Sequence, residues 1–350
     1  MTREIKKKLL TAIPVALIII VLAQGAIFFI TRQWNQKSEN TRIIQVIADS
    51  RNFFNASLSK KGGTRVTVLL ENYRDGEVAG INADHGISLL AERDGKSYIF
   101  DLGESDITLA NAEVLGIDIS KADSVFISHG HIDHGGALPS FLERNRTAPV
   151  YLSIHAPENH YRLLFGLYKV NTGLTKNAPD LFTKYQNRFR FISSDSMLTK
   201  DIYAVTGISG NYKKPSANSG VVKQDSNGNI TDDDFSHETA YVIKDNDGLI
   251  VYSGCNHNGL LNTLQTVTER FPDTRIKAVL GGFHLMNPLT CKMEEPEDEV
   301  RKLAEELNKN YPSTLIYTGH CTGVKGYLIL KSILCDRIEY FTSGSRFIID

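Results

Sequence analysis

The sequence predicts an α/β fold, and three observations carry that expectation. Short runs rich in β-branched and aromatic residues recur from residue 64 onward, among them TRVTVLLE at 64–71 and SVFI at 124–127. Each is too short for a helix and is bounded by turn residues. Helical patterns alternate with them: Ala137 to Leu142 follows one strand closely, and Glu294 to Asn310 puts Val300, Leu303, Ala304 and Leu307 at helical spacing. Finally, the phrases rich in histidine and acid sit beside predicted strands, mostly just after them, where α/β folds carry their chemistry.

The chain has 350 residues, 41% of them hydrophobic and 23% charged, with a net charge of −1. That is ordinary globular composition, and it offers no electrostatic case for nucleic acid. Residues 1–31 read as a cytoplasmic basic tip and a transmembrane signal anchor. Arg3, Lys6, Lys7 and Lys8 precede residues 9–30, LLTAIPVALIIIVLAQGAIFFI, which carry no charge. At about 1.5 Å per residue this run spans a hydrocarbon core of roughly 30 Å. The basic flank stays in the cytoplasm, so a single-pass membrane protein with its catalytic domain on the extracytoplasmic side is expected. A cleaved signal peptide is the alternative: Ala23 to Ala26 offers small residues, but the apolar run continues past them. Residues 32–63 read as a linker or stalk, in which Ile43, Ile44, Val46, Ile47, Phe53, Phe54 and Leu58 hint at an amphipathic helix. Residues 64–350 are expected to form the folded domain.

Within the domain, strands are expected at 64–71, 87–92 and 98–103, with Asp94-Gly95 as a hairpin turn. A helix is expected from Asn111 to Gly116. After the strand at 124–127 comes Ser128-His129-Gly130-His131-Ile132-Asp133-His134-Gly135-Gly136, three histidines and an aspartate within six residues. Imidazole and carboxylate are the usual ligands of zinc, iron or manganese. In an extended segment residues two apart point the same way, so His129 and His131 can grip one ion, and Asp133 and His134 a second. Two ions roughly 3.5–4 Å apart can hold a bridging hydroxide and polarise the bond it attacks. A strand is expected at 149–154. Residues 155–194, with Tyr161, Phe165, Tyr168, Phe182, Tyr185 and Phe189, are expected to form a helical pair with its own small core. Residues 209–234 are polar and read as a flexible excursion or lid. His237 precedes a strand at 239–243. The strand at 249–254 ends in Cys255-Asn256-His257-Asn258-Gly259, that at 276–280 in Gly281-Gly282-Phe283-His284, and that at 315–318 in Gly319-His320-Cys321. Ligand types recurring after strands in distant segments are what one convergent site requires. Of the four cysteines, 255, 291, 321 and 335, Cys255 and Cys321 lie beside proposed ligands; free thiols are expected rather than a disulfide framework.

The His-X-His-X-Asp-His phrase resembles that of the metallo-β-lactamase superfamily, and the resemblance extends from about Thr64 to the C-terminus. It implies a four-layer αββα sandwich with a dinuclear metal site between its two sheets. Asp101, at the end of a strand, then supports the metal loop through hydrogen bonds. Asp84-His85-Gly86-Ile87-Ser88-Leu89-Leu90, Gly254-Cys255-Asn256-His257 and Gly281-Gly282-Phe283-His284-Leu285 are similar to phrases of one branch. That branch is the 7,8-dihydropterin-6-methyl-4-(β-D-ribofuranosyl)aminobenzene-5′-phosphate synthases. The resemblance implies His257 as the third histidine of the first metal, with His237 the competing ligand, and His320 on the second metal. His284 is then a metal or substrate group, and His85 a loop histidine that is either structural or functional. Most superfamily members carry Gly-Asp where this chain has Gly254-Cys255; the thiol either packs or supplies a thiolate, which would tilt the site toward zinc. The expected function is a dinuclear metal-dependent hydrolase acting on a phosphoester or related small molecule through a metal-bound hydroxide. Asp133 and His284 are its catalytic residues. The alternative is a non-catalytic metal-dependent binding or sensing module at the cell surface.

Overall fold

The computed structural model describes residues 37, 39–45 and 63–350, apart from 75, 165, 226 and 289. The expected membrane span lies outside the described residues, as does most of the linker; among the described residues no helix is long and apolar enough to cross a membrane. Of the linker, residues 39–45 are helical. Ile44 is buried against the domain and the Asn40 side-chain amide donates to the Tyr73 hydroxyl at 3.1 Å, so this part packs on the domain.

Two mixed seven-stranded sheets organise the domain. The first runs in the order β20 (Arg346–Ile349), β1 (Thr64–Leu70), β2 (Ser88–Arg93), β3 (Lys96–Phe100), β4 (Ser124–Phe126), β5 (Val150–Ser153), β8 (Phe189–Ile192). The second runs β19 (Ile338–Tyr340), β18 (Leu315–Thr318), β15 (Ile276–Gly281), β14 (Gly248–Tyr252), β13 (Ala240–Asp245), β10 (Ile202–Val205), β9 (Ser196–Met197). The period-2 alternation of the strands distributes their apolar residues between layers. Tyr241, Ile243, Ile250 and Tyr252 meet Val66, Val68, Phe100 and Phe126 between the sheets. The other face of the second sheet, Val242, Val251 and Val279, buries against α5 (Leu260–Arg270), α6 (Glu297–Asn310) and α7 (Gly323–Leu334). The outer face of the first sheet, Leu69, Ile99 and Val125, buries against α1 (Ile107–Val114) and α3 (Leu138–Arg144), with the one-turn α2 (Ile132–Gly135) between them in the chain. The result is the expected αββα layering. Each large side chain buried this way stabilises the fold by about 1.5–3 kcal/mol.

The stretch from 155 to 194 departs from expectation. Instead of a helical pair it forms β6 (Asn159–Leu164) and β7 (Tyr168–Asn171), the four-residue α4 (Leu181–Lys184), and then β8. Residues 209–234 supply β11 (Val221–Gln224) and β12 (Ile230–Asp232), which join β6 and β7 in a four-stranded antiparallel sheet ordered β12-β11-β6-β7. So the expected excursion is the second half of an accessory sheet. The physical reason is that aromatic residues suit a half-buried pleated surface as well as a helical core. On β6 and β7, Lys169 lies over the Tyr161 ring, 4.2 Å from its centroid, across the strand pair. The helix expected from residue 111 starts four residues earlier, at Ile107.

What positions the site is the parallel pairing of β3 with β4 and of β14, β15 and β18 with one another. The chain therefore leaves these five strands at one edge of the sandwich. Asp101, the 128–134 loop, the 253–259 loop, His284 and His320 all lie just beyond those strand ends.

Candidate metal centre

Seven of the predicted ligands converge in two sets. His129, His131 and His257 offer donor atoms that all lie within 4.8 Å of one another, and so do Asp133, His134, Cys255 and His320. In the first set the Nε2 atoms of His129 and His257 are 3.3 Å apart. In the second, Asp133 Oδ2 is 3.3 Å from His320 Nε2 and 3.8 Å from His134 Nε2, and Cys255 Sγ is 3.1 Å from His134 Nε2. Cys255 also groups with His257 and His284, so it lies between the two sets.

Four of the imidazoles are aimed by an oxygen on their far side. His134 Nδ1 meets Asp101 Oδ2 at 2.6 Å. His257 Nδ1 meets Asn218 Oδ1 at 3.0 Å, and His320 Nδ1 meets Asn72 Oδ1 at 3.1 Å. His129 Nδ1 lies 2.9 Å from Ser128 Oγ, whose own proton goes to Asp101 Oδ2 at 2.7 Å, so the ring must donate there. Each Nδ1 thus carries a proton, and each Nε2 faces the centre. This is how an outer oxygen fixes tautomer and ring orientation at metal sites. Asp101 is the hub: it also accepts from the Ser128 backbone N–H at 2.7 Å and the Tyr252 hydroxyl at 2.5 Å. Glu71 and Glu238 do similar work for the later loops. Glu71 accepts from the His320 N–H, and Glu238 from the His257 N–H, each at 2.6 Å. Asn72, Asn218, Glu71 and Glu238 were not among the residues singled out in the sequence. Their signal is weak, because each partner is distant in the chain or masked by ordinary loop composition.

The backbone reflects the same demand. Asp101, Asn256, His284 and His320 are non-glycine residues with φ between 49° and 57°. Such conformations cost of order 1 kcal/mol or more and cluster where function needs them.

Electrostatics suits cation binding. Burial, then the neighbouring imidazoles, holds His129 and His257 well below the usual histidine range, and His131 likewise. Burial pushes His320 down to about 4 against the pull of Asp133. These rings are neutral at neutral pH and ready to ligate. Burial would raise the Asp133 carboxyl, but His134, His320 and His85 outweigh it and keep it ionised. Burial, then Cys321, pushes the Cys255 thiol up; a bound cation would have to displace that proton. The Nε2 atoms of His131 and His320 are buried without a hydrogen-bond partner, as are both ring nitrogens of His284. Unpartnered buried nitrogens that ring one space, together with an N, O and S donor set, fit divalent cations.

The remaining predicted residues sort by position. His85 is half-buried, with Nε2 3.3 Å from Asp133 Oδ2 and its ring 5.1 Å from that of His320. The His284 ring lies tilted, 4.0 Å from that of His257, and burial with the nearby Arg162 pushes it down to about 3. His237 groups not with His129 and His257 but with His131, His160 and Asp233. Its Nδ1 accepts the Gly130 N–H at 2.8 Å, which leaves its proton on Nε2, 3.3 Å from Asp233 Oδ2. Asp233 also takes His160 Nδ1 at 2.8 Å. In this arrangement His237 braces the metal loop. His160 and Asp233 escaped the sequence reading because they meet across 73 residues with no local phrase to mark them.

The centre lies at the bottom of a cavity of about 260 Å³. Its walls come from the metal loops and from the accessory sheet, with Arg162, Leu164, Val170 and Val221 on the sheet side and Lys176 nearby.

A mixed α/β sandwich carries this centre at its strand ends, and residues 82–206 match the family model of the metallo-beta-lactamase superfamily. It is similar to the 7,8-dihydropterin-6-methyl-4-(beta-D-ribofuranosyl)-aminobenzene-5′-phosphate synthase of Methanocaldococcus jannaschii, at 26% identity over 77% of this chain and 91% of that protein. A second protein of that organism, the uncharacterized MJ0448, is 25% identical over 72% of this chain and 89% of its own length. Among solved structures, Tm1679, a metal-dependent hydrolase of the β-lactamase superfamily, superposes with a TM-score of 0.68 at 28% identity, covering 82% of this chain and all of that one.

Proposed function

We propose that the chain is a dinuclear metal-dependent hydrolase, with zinc the favoured ion, that acts on a phosphoester or related small molecule. The observation that carries this reading is the set of four imidazoles whose Nδ1 atoms are held by oxygens while their Nε2 atoms converge beside Asp133 and Cys255. His129, His131 and His257 would hold one ion, and Asp133, His134, Cys255 and His320 the other. When bound, the ions would supply Lewis acidity and activate water. Asp133, ionised and 3.3 Å from His85 Nε2, would orient that water by accepting its hydrogen bond. His284, neutral at neutral pH, offers a ring N–H to the substrate or its leaving group. Arg162 and Lys176 in the cavity wall favour an anionic substrate, and the apolar wall residues keep bulk water from its other parts.

A second reading is supported by the 26% identical relative, which is named a synthase: the same centre would then join two substrate fragments instead of cleaving one. In either case residues 9–30 would anchor the chain, with the domain extracytoplasmic, a proposal that rests on the uncharged run behind a basic tip.

The test is turnover of a panel of phosphomonoesters, phosphodiesters and a lactam by the metal-loaded protein. Hydrolysis that a chelator stops, that added metal restores and that His131→Ala abolishes is expected. Metal-loaded protein inert toward the whole panel would sink the hydrolase reading and leave the synthase one to examine.

A further inference from the structure

The two buried thiols at the centre are closer than coordination of one of them requires. Cys255 Sγ and Cys321 Sγ are 3.2 Å apart, and both are free thiols. They come from different elements, the loop after β14 and the turn after β18, and meet because those parallel strands deliver their ends to one edge. Cys255 belongs to the second ligand set, whereas Cys321 belongs to neither set. Cys321 is instead in contact with the backbone: the His284 N–H donates to its sulfur at 3.3 Å. Although both side chains are almost fully buried, at 2% and 5% exposure, both line the cavity over the metal centre. A small solute that enters the cavity therefore reaches them, while a bulky reagent does not.

We propose that Cys255 and Cys321 are a reversible dithiol–disulfide modification site, addressed through the substrate cavity by a small oxidant of the peroxide class, and that its oxidation withdraws a ligand from the second cation. The chemistry balances with hydrogen peroxide as co-reactant. One sulfur attacks a peroxide oxygen, breaking the O–O bond and releasing water, and becomes a sulfenic acid. The second sulfur attacks the first, the S–S bond forms, and a second water leaves. The two thiols together give up two electrons and two protons. Sulfurs already 3.2 Å apart need only a small approach to the bonded distance of about 2.05 Å. Once bonded to Cys321, Cys255 has no thiolate to offer, and the second set falls to Asp133, His134 and His320. A cation already bound at Cys255 holds the sulfur as its ligand, so the metal-free and metal-loaded proteins differ in how fast they cross-link. The consequence for metal rests on the proposed centre; the cross-link itself does not.

The experiment treats the full chain, metal-free and metal-loaded, with hydrogen peroxide, then counts free thiols and maps peptides by mass before and after a dithiol reductant. A peptide pair joining residues 255 and 321 is expected, two hydrogens lighter than the reduced pair, with the thiol count falling from four to two at first. Cross-linking should be slower in the metal-loaded protein. The oxidised protein should bind one cation fewer, and the reductant should restore it. Cys321→Ser should form no such pair, and its peroxide-treated form should not recover metal binding in the same reversible way. Absence of the 255–321 peptide in metal-free protein would overturn the proposal, as would reversible loss of the cation to the same extent in Cys321→Ser. Failure of the proposed centre reads separately, because reduced protein would then bind no cation while the cross-link is still seen by mass.

Discussion

A single carboxylate shows how the centre is held. Asp101 takes four donors, the Ser128 N–H, the Ser128 hydroxyl, His134 Nδ1 and the Tyr252 hydroxyl, all between 2.5 and 2.7 Å. Two of these set the start of the metal loop, and a third sets the tautomer of a ligand. An amide at this position would face one of those donors with its own N–H. Asp101→Asn should therefore weaken the second cation by roughly 10–100-fold, the usual cost of losing such an outer partner, while leaving the fold intact. Equilibrium dialysis against a buffered metal would measure this, and an unchanged dissociation constant would show that Asp101 is only a turn residue. Asp101 was marked by the resemblance of its strand-end phrase to the superfamily's. The sequence could not mark Asn72 or Asn218, since an asparagine in a loop is more often a turn former.

At the scale of elements, the loops around the centre are packed backbone against backbone. Gly86, between His85 and β2, has φ +119°, and a Cβ there would collide with the Asp133 carbonyl oxygen and crowd Gly103 and Glu104. Its place just behind the metal loop is the reason that position needs glycine. Gly86→Ala should cost about 2 kcal/mol or more through backbone strain and overlap, and should lower cation occupancy along with stability because the collision falls on a ligand residue. A urea midpoint with metal analysis of the same sample would check this; loss of stability with full occupancy would place the strain elsewhere. The accessory sheet marks the limit of element-level legibility. β6 and β11 pair across about 60 residues, joining the local hairpins β6–β7 and β11–β12, and Asn159 to Asn171 carries no strict alternation to announce strands. By contrast, β1, β3, β13 and β14 are rich in β-branched and aromatic residues and bounded by turns, and their expected bounds agree with the structure to within a few residues.

For the whole molecule, two sheets with parallel strand sets turn scattered short phrases into one site. The His-X-His-X-Asp-His phrase was legible alone, because four candidate ligands within six residues after a strand have few other uses. His257, His284 and His320 were legible because each follows a strand and a glycine. The choice between His257 and His237 was not open to spacing arguments. It turns on which ring faces His129, and the structure brings His257 there while Gly130 holds His237. The accessory sheet then closes the cavity from the far side and brings Arg162 to it.

The most direct test of the centre is the near-ultraviolet and visible absorption of the cobalt-substituted protein as cobalt is added. A thiolate-to-cobalt charge-transfer band is expected that grows with the second cation and is missing in Cys255→Ser, with the ligand-field bands of the first cation retained. A spectrum with no thiolate band, or a band that survives in Cys255→Ser, would contradict the assignment of Asp133, His134, Cys255 and His320 to one ion.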